Sequence, residues 1–153
     1  MSSELEVALV VENNSEQENL DSEHGLSFYL SYQGENYVFD TGHGQVLINN
    51  LKELNLLGKE LTGILLSHGH YDHAGGLRNL LEHKPTVPVY AHPDVFLDKY
   101  SQKSNGAVFR GFKLSRDLIN NFRAVTDLTE IKQGLWLTGE VPRKNGFEKL
   151  NPD

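Results

Sequence analysis

Apolar residues fall in short blocks along the chain, separated by glycine-, asparagine- and charge-rich stretches. Leu5 to Glu12 is β-rich and mostly apolar, which predicts a strand. Residues 13–24 are polar and predict a loop. Leu26 to Tyr32 and Asn36 to Asp40 flank Gln33-Gly34-Glu35, a hairpin pattern with glycine in the turn. Val46, Leu47, Leu51 and Leu54 recur at helical spacing, with Gly58 placed to end that helix. Gly63 to Ser67 is a short apolar run of the kind a buried strand shows. Leu77, Leu80 and Leu81 predict a helix that ends near His83, before Pro85. Val87 to Ala91 reads as the next strand, and Pro93 suits the first turn of a helix running to about Tyr100. Residues 101–111 are polar and glycine-containing, and suggest no regular element. Leu114 to Phe122 reads as a short helix, and Phe122–Val125, Glu130–Lys132 and Leu135–Thr138 as closing strands. Trp136 and the leucine stripe at 47, 51 and 54 are expected in the core. Hairpins first and alternating strands and helices afterwards give an α/β or α+β class with a mixed sheet.

Composition narrows the chemistry. The chain has 153 residues, the size of about one domain, so residues 1–153 are read as a single unit. Asp plus Glu is 21 against 14 Lys plus Arg, a formal net charge of −7, which disfavours a nucleic-acid partner. Cysteine is absent, which excludes disulfides, thiolate zinc sites, iron–sulfur clusters and cysteine nucleophiles. The N-terminus has no basic region, and its first apolar run, Val7 to Val11, is too short for a signal-peptide core. No stretch approaches the ~20 apolar residues that cross a bilayer. A cytoplasmic protein without a membrane partner is the expectation.

The chemistry concentrates in Ser67-His68-Gly69-His70-Tyr71-Asp72-His73-Ala74-Gly75-Gly76, between an apolar strand and a helix. Strand ends at a sheet edge are where α/β folds place ligands. Two-residue spacing in an extended loop points His68 and His70 to one side. Asp72 and His73, near the first turn of the next helix, face a second position. Imidazole plus carboxylate without thiolate suits zinc, or manganese or iron. The glycines allow tight backbone around the cluster. Spacing, context and glycines agree on a metal loop rather than a histidine-rich surface loop.

The pattern His-x-His-x-Asp-His after an apolar strand resembles the metal signature of the metallo-β-lactamase superfamily, and Phe39-Asp40-Thr41-Gly42 resembles that superfamily's first motif. Four further stretches resemble the branch of 7,8-dihydropterin-6-yl-methyl-4-(β-D-ribofuranosyl)aminobenzene 5′-phosphate synthases. They are Val11-Glu12-Asn13-Asn14, Glu23-His24-Gly25-Leu26-Ser27, Val89-Tyr90-Ala91-His92-Pro93 and Thr138-Gly139-Glu140-Val141-Pro142-Arg143. The resemblance implies an αβ/βα sandwich, of which this chain matches the N-terminal half: a mixed sheet flanked by helices. It implies two divalent ions, zinc first, with manganese, iron or magnesium as alternatives. His68 and His70 would hold the first ion and Asp72 and His73 the second. Asp40 would orient a ligand imidazole from behind, and Asp72 is also the candidate catalytic carboxylate. His24, His43, His92, Glu140 and Arg143 are candidates for contact with substrate. For His24 a structural hydrogen bond is the equal alternative, and for His92 a helix cap is the stronger one. Glu12 is a weaker candidate for the same region.

Two function classes follow. One is a metal-dependent enzyme acting on a small molecule, phosphorylated on the branch's implication. Hydrolysis is the superfamily's commonest chemistry. The branch implies instead a transferase that joins a pterin diphosphate to an aminobenzene ribotide. The other class is a non-catalytic half-domain. Family members are nearly twice this length, and their second half supplies a further His, a bridging Asp and a final His. This chain is expected to lack those ligands, to leave a sheet face bare, and to need a separate C-terminal half or a second copy as partner.

Overall fold

The computed structural model describes residues 4–142, 144, 146 and 147. Six strands form one mixed sheet in the order β1-β2-β3-β4-β5-β8. These are β1 (Leu5–Val11), β2 (Ser27–Tyr32), β3 (Glu35–Phe39), β4 (Gly63–Leu65), β5 (Val89–Ala91) and β8 (Phe122–Ala124). β1, β2 and β3 pair antiparallel, whereas β3, β4, β5 and β8 run parallel. Three helices cross over between them: α1 (Leu47–Glu53), α2 (Tyr71–Ala74) and α3 (Leu77–His83). Among the described residues, two small hairpins stand outside this sheet, β6 (Tyr100–Lys103) with β7 (Gly106–Phe109), and β9 (Thr129–Lys132) with β10 (Leu135–Leu137).

Strand register explains why the sheet has one finished face. Ala8, Tyr29, Val38, Ile64, Val89 and Phe122 stand opposite one another across six successive strands. Because side chains alternate along a strand, this row projects to one side. It packs under Leu47 and Leu51 of α1 and Leu77 and Leu80 of α3, all buried in one core. The predicted helices at 46–54 and near 77–83 thus share that face.

The alternate row, Leu9, Phe28, Phe39, Leu65 and Tyr90, faces the other way. There the β9–β10 hairpin gives partial cover. A groove of about 330 Å³ opens between Val7, Phe28, Leu30, Phe39 and Leu65 and the hairpin's Leu135, Trp136 and Leu137. Val7 is 54% exposed, Leu9 41% and Trp136 51%, so Trp136 is not the core residue the sequence predicts.

Other departures have local causes. The helix expected from Pro93 to Tyr100 is a single 3-10 turn, Pro93–Phe96. It stops at Leu97, which is extended, and Lys99 Nζ donates to the carbonyls of Asp94 (3.0 Å) and Leu97 (3.0 Å) at its end. The helix expected at 114–122 is likewise one 3-10 turn, Arg116–Leu118. The polar stretch 101–111 holds the β6–β7 hairpin, pinned by the edge-on pair Tyr100–Phe109 at 5.6 Å. α1 ends at Glu53, well before Gly58: Asn55, just past the cap, takes the left-handed conformation (φ 56°) while the Leu56 and Leu57 N–H groups return to Leu51 O.

One buried polar residue fastens the long loop 13–24 to this framework. Asn50 is 1% exposed. Its amide donates to Val10 O (2.7 Å) and Asp21 O (2.8 Å) and accepts from the Asp21 N–H (3.0 Å). Replacing it by Ala orphans these buried groups, so Asn50→Ala should cost about 2 kcal/mol, read as a shifted urea midpoint at unchanged slope.

Candidate metal centre

Three parallel strands end at one edge and release the site loops there. β3 leads into Asp40, β4 into the Ser67–His73 loop and β5 into His92. Main-chain bonds stitch the loops together. The Asp40 N–H donates to Leu65 O, Thr41 N–H to His73 O, Gly42 N–H to Leu26 O, and Leu26 N–H to Asp72 O. Gly76 lets the turn after Asp40 close on α3: a Cβ there would lie 2.2 Å from Thr41 O. Asp72 and His73 sit in the first turn of α2, as the sequence predicts.

Asp40 organises the cluster. It is fully buried and held at φ 55°, a conformation Asp tolerates better than most residues. Its Oδ1 accepts the Ser67 N–H (2.8 Å), and its Oδ2 accepts the Ser67 hydroxyl (2.6 Å) and His73 Nδ1–H (2.7 Å). A carboxylate only accepts, so the proton directions follow. The Ser67 hydroxyl is spent on Asp40 and therefore accepts from His68 Nδ1–H, 2.8 Å away. Both imidazoles are thereby fixed in one tautomer, with Nε2 carrying the free lone pair.

The histidine rings lie close together. The His68 ring is 4.2 Å from that of His73 and 4.8 Å, edge-on, from that of His70. His68 and His70 thus lie on the same side of the loop. Asp72 Oδ2 is 3.9 Å from His73 Nε2 and 3.3 Å from His24 Nε2. Burial, with the neighbouring His73 and His70, pushes His68 below the ordinary histidine range, which favours its neutral form. Imidazole and carboxylate groups of this kind are donors that zinc and related divalent ions accept, although His70 and Asp72 are not among the donor atoms that lie closest together. Donor atoms of Asp40, His68 and His73 lie within 4.8 Å of one another. Asp40 already accepts three hydrogen bonds from Ser67 and His73, which suits it to orienting these rings rather than to ligation.

The remaining candidates are distributed unevenly. His24 joins the site through Asp72, while its Nδ1 lies 2.9 Å from Asn13 Oδ1. His43 stands to one side, edge-on to Tyr71 at 4.9 Å. His92 caps the 3-10 turn by accepting the Asp94 N–H (3.1 Å). Glu140 is exposed, with its N–H on Thr126 O. Glu12 is exposed as well, and its carbonyl accepts the Glu23 N–H. Arg143 lies outside the described residues. Sequence reasoning assigned nothing to Ser67, Glu23 or Arg110. Glu23 accepts the N–H groups of Gly44 (2.8 Å) and Gln45 (2.9 Å) and so holds the turn after Asp40. The spacing of Ser67, directly before His68, was the only available signal.

Comparison with known proteins agrees with this geometry. The family described as the metallo-β-lactamase superfamily matches residues 21–148. The chain is 37% identical over 141 residues to the 7,8-dihydropterin-6-methyl-4-(β-D-ribofuranosyl)-aminobenzene-5′-phosphate synthase of Methanocaldococcus jannaschii, covering 84% of this chain and 48% of that protein. The crystal structure of a metal-dependent hydrolase of the β-lactamase superfamily aligns with a TM-score of 0.67 and 29% identity, covering 87% of this chain and 47% of that one. An N-acyl homoserine lactone lactonase shares the fold at a TM-score of 0.52 and 18% identity, covering 74% of this chain and 49% of its own. The chain therefore spans about half the length of these relatives. Its fold, its two sequence motifs and its Asp40-anchored histidine cluster place it in one family: the chain belongs to the metallo-β-lactamase superfamily.

Proposed function

We propose that this chain carries the histidine-rich part of a metal-dependent active site, acting on an ester, phosphoryl or diphosphate group of a small molecule in the cytoplasm. The observation that carries the reading is the proton chain from His68 through Ser67 to Asp40, matched by His73 to Asp40, which leaves both Nε2 lone pairs free. His68 and His70 would hold one ion and Asp72 and His73 a second, with zinc the best fit. Such ions supply Lewis acidity toward a substrate oxygen and acidify water. Asp40 and Ser67 hold the rings in register. His24 lies against the Asp72 carboxylate, which would take a proton during the reaction. Hydrolysis, and a transfer of the type the archaeal synthase's name describes, both fit these groups.

Zinc content after dialysis tests the reading. The wild-type chain should retain zinc, and His70→Ala should lose it from the first position. Asp72→Ala should weaken the second position more than the first. Full retention of stoichiometry and affinity in His70→Ala would remove that residue from the ligand set.

The open sheet face supports a second element of the reading. Leu5, Val7, Leu9 and Trp136 are each more than two-fifths exposed there. We propose that a second polypeptide segment, of the kind the longer relatives carry in one chain, covers this face and completes the site. No helix among the described residues is long and apolar enough to cross a membrane. Light scattering on the purified chain should then show self-association, with little or no phosphodiesterase turnover. A micromolar monomer with a cooperative melt and full metal loading would argue against it.

A further inference from the structure

We propose that the cavity on the far side of Tyr71 is an oxyanion subsite, built on Arg110 and Lys113 with Arg78 across from them, which holds a phosphate or carboxylate group of the substrate. The proposal deepens the metal-enzyme reading, since it assigns the substrate an anionic arm. The cavity has a volume of about 440 Å³, and its walls include Arg78, Arg110, Lys113, His43, Tyr71 and Phe112. Among the described residues, no acidic side chain lines it. That is unexpected in a chain of net charge −7. Among the described residues, none of the three cations forms an ion pair.

Arg110 is held in place without being neutralised. Its Nε–H donates to Ser101 Oγ (2.9 Å), one terminal nitrogen reaches the Tyr71 hydroxyl (3.4 Å), and the guanidinium lies 5.8 Å from the centre of the Tyr71 ring. All these partners are neutral. The rest of its donor fork meets no side-chain acceptor among the described residues. A guanidinium fixed and partly desolvated in this way suits bidentate binding of an oxyanion. A purely structural arginine of this kind would ordinarily face a carboxylate.

The subsite is also tied to the metal loop. Tyr71 N–H donates to Arg110 O (2.9 Å), and Gly111 forms an antiparallel bridge with His70. Arg110 therefore keeps a set position relative to His70. Tyr71, between His70 and Asp72 in the chain, forms the common wall. A substrate with its reacting oxygen at the histidines would place a charged group beyond Tyr71, about one side chain away. Phe112 and Tyr71 supply flat apolar surface along the way.

The experiment is calorimetry on the chelator-treated chain at low ionic strength, with inorganic phosphate, inorganic diphosphate and succinate as probes. Saturable binding of at least one probe is expected, and a preference for the phosphates or for succinate separates a phosphate ester from a carboxylate. Arg110→Gln should weaken it about tenfold or more, and Lys113→Gln several-fold. Lys52→Gln on α1 removes the same charge elsewhere and should change nothing. Lys113 and Lys52 are exposed, so both variants keep the fold. Arg110→Lys, which keeps charge without the fork, should fall between wild type and Arg110→Gln. Absence of binding, equal binding in Arg110→Gln and Lys113→Gln, or equal weakening by Lys52→Gln would each overturn the subsite. His68→Ala should lose zinc from the first position and leave anion binding unchanged. If the wild type binds anions but no zinc, the metal reading fails and the subsite stands.

Discussion

Asp40→Ala should lower stability by about 3 kcal/mol and weaken zinc binding by roughly 10–100-fold. The carboxylate is fully buried and accepts three hydrogen bonds, from the Ser67 amide, the Ser67 hydroxyl and His73 Nδ1. Alanine leaves all three donors without a partner, and Ser67 can recover water only in part. Two tautomers are released together: His73 loses its acceptor, and the freed Ser67 hydroxyl no longer compels His68 to donate from Nδ1. Either ring then spends part of its time with the proton on Nε2, where it cannot ligate. Asp40→Asn keeps the volume but turns a donor toward donors, so it should bind zinc little better. Thermal melts of the metal-free protein, with a midpoint lowered by roughly 10 °C, and zinc competition against a chromophoric chelator provide the two readouts. An unchanged zinc affinity would remove Asp40 from the orienting role.

Gly69→Ala is expected to be as damaging by a steric route. A Cβ at this position would lie 1.9 Å from Val95 O and 2.9 Å from Lys99 Nζ. Carbonyl oxygens cannot give way as a flexible side chain does. The 3-10 turn at Pro93–Phe96 is itself fixed, because His92 caps one end and Lys99 the other. The histidine loop must therefore lift away from the turn, which displaces His68 and His70 on either side. Overpacking of this kind costs typically about 1–3 kcal/mol. The sharper effect should be on zinc, with binding at the first position lost while far-UV circular dichroism stays near wild type. Wild-type zinc affinity in Gly69→Ala would show that the loop tolerates the shift.

What the sequence made legible was local. The β2–β3 hairpin, α1 and α3 follow from patterns within a few residues. The histidine cluster is compact enough in sequence for the proximity of His68, His70 and His73 to be read from spacing. What was missed depends on partners distant in the chain. The polar stretch 101–111 shows no apolar period, yet it forms a hairpin because Tyr100 meets Phe109 across the strands and Arg110 reaches back to Tyr71. The helix after Pro93 was overextended because nothing in the pattern announces that Lys99 curls onto its own turn's carbonyls. Trp136 looked like core because a lone aromatic on a late strand usually is, whereas its side of the sheet is the one left open.

The parallel pairing of β3 with β4 has a consequence for how the protein is made. It brings Asp40 next to Ser67, and every group of the tautomer-fixing chain lies between Asp40 and His73. The donors that fix the rings thus come from neighbouring stretches of the nascent polypeptide. Chains fold from the N-terminus during synthesis. The histidine cluster can therefore assemble once α3 has emerged to cover the sheet, while Arg110 is still inside the ribosome. Metal capture and substrate recognition would then be acquired at different moments in the life of one chain.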